Sequence, residues 1–425
     1  MALRRVLFER VLGVAQVPGA QRWALVALVD SVGTGLLAPI TVLYFTQQVK
    51  LSLASVGLGL AVAGVAAICL TPLAGLVIDH IGPRSALVGY WLLAGASYAG
   101  YGLVHSWGAF VATASVALVA DYSAKPAKQT FVTQLAQGAD RVRLMAFQRS
   151  VRNAGYSVGG LLAAAALAVG GAGYLAVIYG DALSYLLAAA VILTIRGAHR
   201  GSVPAPGKPS LRDYRVVARD RRYLSLAVLD FFATFHATAL TIAIPLWVAL
   251  HTRAPRALVG ILFTVNTTLV VLLQVRVTRR VSGATDAPPA YVRAALLFAL
   301  AAGSYEAARY TGEIVAVALL VIGLLLHTAS ELNASTAEWT ASIELAPEAH
   351  RGKYLALFSL GASLQQALGP VIITSILTAW AGGLWILLAV LMAVGTLSSA
   401  ARVRSWGVDS PTPIADDLVE SGGAG

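Results

Sequence analysis

Residues 54–84 read ASVGLGLAVAGVAAICLTPLAGLVIDHIGPR, and they hold most of what decides the fold. From Ala54 to Ile78 no charged side chain interrupts the run. A stretch that long can cross the ~30 Å hydrocarbon core of a membrane as a helix, since about 20 apolar residues suffice. Asp79, His80 and Arg84 then cluster around Gly82 and Pro83, a pair that bends the chain. A second apolar run opens at Ser85. The unit is two membrane crossings joined by a short polar turn.

The same pattern continues in both directions. Twelve candidate spans emerge at 23–46, 54–78, 85–104, 107–128, 148–169, 173–195, 223–249, 257–278, 290–310, 313–338, 353–377 and 381–400. Glycine and proline inside them are tolerated because neighbouring helices satisfy the freed backbone groups. Of the 425 residues 58% are hydrophobic and 12% charged, whereas a soluble domain carries about 25% charged residues. So few charges cannot cover a water-facing surface, and the mean hydropathy of +0.74 agrees. The expected fold is all-α and integral to the membrane. Cys69 is the only cysteine, which excludes an internal disulfide and a thiolate metal cluster.

The basic residues set an orientation. With the N-terminus inside, 25 of the 31 Lys and Arg side chains fall on the side of the termini; Lys50, Arg253, Arg256 and Arg309 fall on the other. Lys125 and Lys128 make up the total, near the end of the fourth span. Cytoplasmic loops carry that excess, so both termini are expected inside a bacterial-type inner (plasma) membrane. Contact with anionic lipid headgroups accounts for the net charge of +11 without nucleic acid.

Five segments follow. Residues 1–22, with Arg4, Arg5, Glu9 and Arg10 among leucines and valines, read as an amphipathic helix on the cytoplasmic face and lack a secretory-signal core. Residues 23–195 form one six-helix bundle and 223–400 a second. The basic stretch 196–222, broken by Gly201, Pro204, Pro206, Gly207 and Pro209, is a flexible linker, and 401–425 a disordered tail. The halves are a repeat. A slide of 210 residues sets Asp121 against Glu331, Arg141 against Arg351 and Gly159 against Gly369, and a slide of 200 sets Asp30 against Asp230. Repeats of this kind place the binding site at their interface.

The turn Gly75-Leu-Val-Ile-Asp79-His-Ile-Gly82-Pro-Arg84 resembles the loop signature of the major facilitator superfamily, Gly-x-Leu-Ala-Asp-x-x-Gly-x-Arg/Lys. Gly75, Asp79, Gly82 and Arg84 match, while Val77 and Ile78 replace the Leu-Ala pair. The twelve spans, the basic linker and Gly33, Gly35 and Pro39 in the first span resemble that family too. The resemblance implies that spans one, four, seven and ten line a central cavity and that the loop helps latch one conformation. Span five, Asn153-Ala-Gly155-Tyr-Ser-Val-Gly159-Gly160, resembles the Gly-x-x-x-Gly-Pro signature of proton-coupled exporters. Gly160 stands where that signature has proline; the repeat-related site keeps Gly369-Pro370. Small residues so spaced also serve ordinary close packing.

An ionisable group inside a span costs about 2.5–3.5 kcal/mol or more, so it asks for a function. Asp30 and Asp230 lie about 11 Å in from the inner ends of their spans at ~1.5 Å per residue. With Asp121 and Glu331 they make four acids in repeat-related positions, expected to face one cavity and to carry protons across it. His327, Glu331 and Glu338 share one helix face through spacings of four and seven, and His236 follows Asp230 by six. Structural alternatives stand beside these: an Asp121–Lys125 pair, a solvated Glu338, a satisfied polar His236. Asp181 reads as a helix-packing contact.

No phosphate-binding loop, zinc-hydrolase motif or nucleophile elbow appears, so neither ATP, a metal nor an enzyme is expected. Composition and resemblance together imply a monomeric secondary transporter with no cofactor and with protons as coupling ion. The resemblance to the drug-exporting branch implies efflux of lipophilic or cationic small molecules. The excess of acids over clearly intramembrane bases suits a cation or a neutral substrate better than an anion. Import of a nutrient by proton symport is the alternative, and a non-transporting receptor or scaffold the alternative of another class.

Overall fold

The computed structural model describes residues 19–136, 138–195, 220–278, 280–281, 283, 285–347 and 351–406. Most of the segments expected at 1–22, 196–222 and 401–425 lies outside them. Twelve helical rods run through the described residues. The first six are α1 (Ala20–Gln47), α2 (Leu53–Ile81), α3 (Pro83–Gly100), α4 (Trp107–Leu135), α5 (Gly138–Val169) and α6 (Gly171–Leu193). The second six are α7 (Arg221–His251), α8 (Leu258–Thr278), α9 (Ala287–Ala308), α10 (Glu313–Glu344), α11 (Arg351–Ala379) and α12 (Leu384–Ser405).

Eight of these rods are long and apolar enough to cross a membrane on length and composition alone, and α8 contributes the shorter apolar run Leu258–Gln274. The rods α3, α5 and α9 dilute their apolar runs with polar, charged or small residues, yet they pack as the others do. Several rods outrun their expected spans: α4 continues to Leu135, α10 to Glu344, and α5 begins at Gly138. Hydropathy marks only the part in lipid, whereas intrahelical hydrogen bonding continues into the polar zone.

Local chemistry sets the ends. Ser52 and Ser106 cap α2 and α4 by accepting from the backbone N–H of Ser55 at 3.1 Å and Ala109 at 3.3 Å. Asp220 caps α7 through the N–H groups of Arg222 and Tyr223, and its other oxygen accepts from the Tyr354 hydroxyl of α11 at 3.2 Å. Gly82 takes a φ of +83°, which glycine adopts freely, and Pro83 starts α3. Prolines within α4 and α11 free backbone groups, and Thr130 and Thr374 hydroxyls bond the Pro126 and Pro370 carbonyls.

The packing repeats itself. In the first half α1 lies on α5 and α6, and α3 on α4 and α6. In the second α7 lies on α11 and α12, and α9 on α10 and α12. The most extensive contacts between the halves are α2 against α11 and α5 against α8. Both are close approaches. A Cβ on Gly64 would stand 2.7 Å from Ala367 Cα, and one on Gly260 would overlap the Gly160 carbonyl oxygen. Each half buries tryptophans, Trp23 and Trp91 in one and Trp247 and Trp385 in the other. The outward faces carry bare leucine and isoleucine, such as Leu272, Leu296, Leu300 and Ile386, as a lipid-facing surface requires.

Candidate functional site

In the first half the chemistry gathers between α1 and α4. The Lys128 ammonium donates to Asp30 Oδ2 at 2.7 Å, with both side chains largely buried. It also lies 5.4 Å from the centre of the Trp91 ring. Asp121 sits on the same face of α4, seven residues before Lys128. The Tyr185 hydroxyl of α6 stands 3.5 Å from its Oδ1, at the limit of a hydrogen bond. The expected alternative of an Asp121–Lys125 ion pair does not form among the described residues. Instead the Lys125 ammonium lies 3.8 Å over the ring of Tyr122, whose hydroxyl donates to Gln366 Oε1 of α11 at 3.0 Å. That bond crosses from one half to the other.

Lys125 and Lys128 therefore do not sit at a helix end. They lie inside α4, ten and seven residues before its end, and they narrow the excess of intramembrane acids over bases without removing it. The signal was present: Asp121, Lys125 and Lys128 are spaced four and seven, the repeat of one helix face.

In the second half His236 of α7 and His327 and Glu331 of α10 converge, with one nitrogen or oxygen from each within 4.8 Å of the others. The ring centres of the histidines are 6.4 Å apart. Asn266 of α8 donates to Glu331 Oε2 at 2.9 Å and to the Thr328 hydroxyl at 3.0 Å. Local irregularity brings His236 there: α7 breaks at Thr234, and a π-helical turn follows at Ala239–Ala243. Such turns redirect side chains and recur at functional sites. Beside this cluster Thr238 and Gln365 pair in the buried interior at 3.1 Å.

The four expected acids do not share one cavity. Asp30, Asp121 and Glu331 are half-buried, but Asp230 is buried within its own half. Asp230 faces α11, where a Cβ on Gly361 would lie 3.1 Å from its Oδ2 and the Ala362 backbone bonds its carboxylate. Glu338 is buried rather than solvated, with Oε1 unpartnered among the described residues. The physical reason for Asp230 is local: it lies on the face of α7 that packs on α11 and α12, while Val228 on the other face is exposed. Asp181, expected as a packing contact, does pack against α1; a Cβ on Gly33 would lie 2.6 Å from its Oδ1.

The glycine motif serves two partners. Gly155 and Gly159 admit α1, and a Cβ built on Gly159 would overlap the Val32 carbonyl oxygen. Gly160 faces α8 across the two halves, against Thr264. Gly369 admits Thr238 of α7, and the Pro370 carbonyl meets Gly57 of α2. In the loop at 75–84, Arg84 donates to the Leu193 carbonyl at the end of α6, where Arg22 bonds the Thr194 carbonyl. Asp79 is exposed, and Gly75 has open space around it.

Solved structures share the fold at low sequence identity. The nucleoside transporter NupG, in a point-mutant form, superposes with a TM-score of 0.77 at 12% identity, covering 90% of this chain and 99% of that one. A POT family transporter in complex with 5-aminolevulinic acid gives 0.75 at 12% identity, covering 91% and 96%. A D-xylose-proton symporter gives 0.69 at 18%, covering 90% and 96%. A search of curated proteins finds no sequence match. The sequence model of the Major Facilitator Superfamily matches residues 23–336, which is most of the chain. With its two equivalent six-helix halves joined through α2–α11 and α5–α8, the chain belongs to the Major Facilitator Superfamily.

Proposed function

We propose that this multi-pass membrane transporter, which is not an enzyme, couples solute movement to protons through the Asp30–Lys128 pair. The observation that carries the reading is the 2.7 Å contact between α1 and α4 inside the first half, with Asp121 on the same face of α4. A proton delivered to Asp30 removes the counter-charge of Lys128 and frees the ammonium to turn toward Asp121. Because the pair ties two rods together, that exchange changes their packing as well as their charge. The Tyr122–Gln366 bond then links the titrating rod to α11 of the other half.

The preferred direction is outward exchange of a lipophilic small molecule for protons, with both termini on the cytoplasmic side of a bacterial-type plasma membrane. The loop at Asp79 to Arg84, docked by Arg84 on the end of α6, serves as the conformational latch. Lys125 and Lys128 weaken the case for a strictly cationic substrate. A second reading, proton symport inward, draws support from the polar groups Tyr122, Gln366, Thr238 and Gln365 and from the fold shared with a D-xylose-proton symporter.

Proteoliposomes with an imposed pH gradient separate these outcomes. Solute flux against the proton gradient in wild type, uncoupled in Asp30→Asn and slowed in Asp121→Asn, supports exchange. Proton and solute moving together would replace it with symport. Full coupling retained in Asp30→Asn would remove the pair from the mechanism.

A further inference from the structure

The cluster of His236, His327 and Glu331 is used by neither reading above, and its chemistry is specific. His327 is fully buried and His236 is 6% exposed, yet among the described residues neither ring has a side-chain hydrogen-bond partner, and only the His236 backbone comes near a His327 ring nitrogen. Burying a polar group without a partner is costly, so two such rings side by side indicate that something else satisfies them. Glu331 brings a carboxylate to the same point, the three donor atoms lying within 4.8 Å of one another.

We propose that α7 and α10 form a binding site for one divalent transition-metal ion of the zinc class, ligated by His236, His327 and Glu331. Two imidazoles and a carboxylate suit Zn²⁺, Co²⁺ or Ni²⁺, and they leave a fourth tetrahedral position for water or a transported ligand. Metal bonds of about 2.0–2.2 Å set tetrahedral donors roughly 3.3–3.6 Å apart. Side-chain rotation closes the remaining gap, because packed rods hold the three backbones in place.

The supporting shell is in place. Asn266 donates to Glu331 Oε2 at 2.9 Å and fixes the carboxylate. The His327 ring lies against the His236 backbone, and Phe298 and Tyr305 flank it at ring-centre distances of 5.4 and 6.3 Å. Outer groups of this kind orient metal ligands, and apolar walls limit water. His236 stands between the break at Thr234 and the π-helical turn at Ala239–Ala243, in the irregular stretch of α7 that meets α10. The proposal is independent of proton coupling at Asp30, which lies in the other half.

The test uses the full chain purified without a polyhistidine tag, stripped with chelator and titrated with Co²⁺ and Zn²⁺. Wild type is expected to bind one ion per chain, with visible cobalt absorption of a tetrahedral site. His236→Gln, His327→Gln and Glu331→Gln should each weaken binding at least tenfold, while His105→Gln leaves it unchanged. Zn²⁺ should raise the melting temperature of wild type and not of the double variant His236→Gln/His327→Gln. If those variants fold poorly, His236→Cys gives the answer directly: a thiolate-to-cobalt charge-transfer band appears on binding. Absence of that band in folded His236→Cys, or saturable binding undiminished in the double variant, would overturn the site.

Discussion

Asp30 and Lys128 show how much one pairing decides. Separately each would charge the membrane interior; joined at 2.7 Å, each offsets the other. Asp30→Asn leaves the ammonium without its counter-charge. It should destabilise the protein by about 1.5–3 kcal/mol, the range for hydrogen bonds to charged groups. Replacing both groups, Asp30→Asn with Lys128→Met, should recover at least half of that loss, and thermal melting of the four proteins in detergent gives the coupling. A double variant less stable than either single would show that the two groups do not act as a pair. Sequence alone could place Asp121, Lys125 and Lys128 on one helix face. It could not say which acid Lys128 meets, because that partner is 98 residues away on another rod.

At the scale of elements, glycine positions divide by what stands opposite. On α5, a Cβ at Gly159 would collide with the Val32 carbonyl oxygen and with Gly35. Gly159→Leu should therefore force α1 and α5 apart and lower the melting temperature by many degrees. Gly89 and Gly303 meet nothing within 4 Å, so Ala at either should stabilise by roughly 0.5–1 kcal/mol through helix propensity. Melting curves of the three variants check both directions, and equal effects would discard the close-approach account. The repeat-related pair behaves alike, since Gly159 admits α1 and Gly369 admits Thr238 of α7, whereas the next residue, Gly160, faces α8. The shared motif was legible as small residues at helical spacing, but spacing does not identify which neighbour uses the space.

The whole molecule exposes large apolar side chains along its outward faces while burying Trp23, Trp91, Trp247 and Trp385. Leu296 and Leu300 are more than 60% exposed on α9. Leu296→Arg should cost about 2.5–3.5 kcal/mol in lipid and reduce membrane yield, because no neighbouring rod shelters the charge. A soluble protein would accept the same change at no cost, so unaltered yield would contradict the membrane-facing assignment. The contact of α5 with α8 concerns motion rather than stability. Gly260→Leu should wedge the two halves, since a Cβ there would overlap the Gly160 carbonyl oxygen. Transport is expected to fall more than tenfold while metal binding within the second half persists. Retained transport would show that the halves do not rock across this contact.

Number and order of spans, the internal repeat and the superfamily were all legible in the chain itself. The spans follow from quantities that add up along the sequence, apolar run length and the placement of Lys and Arg, whereas the superfamily rests on the resemblance carried by Gly75, Asp79, Gly82 and Arg84. The burial of Asp230, the Asp30–Lys128 pair and the meeting of His236 with His327 and Glu331 were decided only in three dimensions. Each depends on how two rods rotate about their axes, and α7 adds a break at Thr234 and a π-helical turn that shift every later side chain around the helix. Periodicity assumes a regular helix, so a residue beyond such a break lies where only packing can put it.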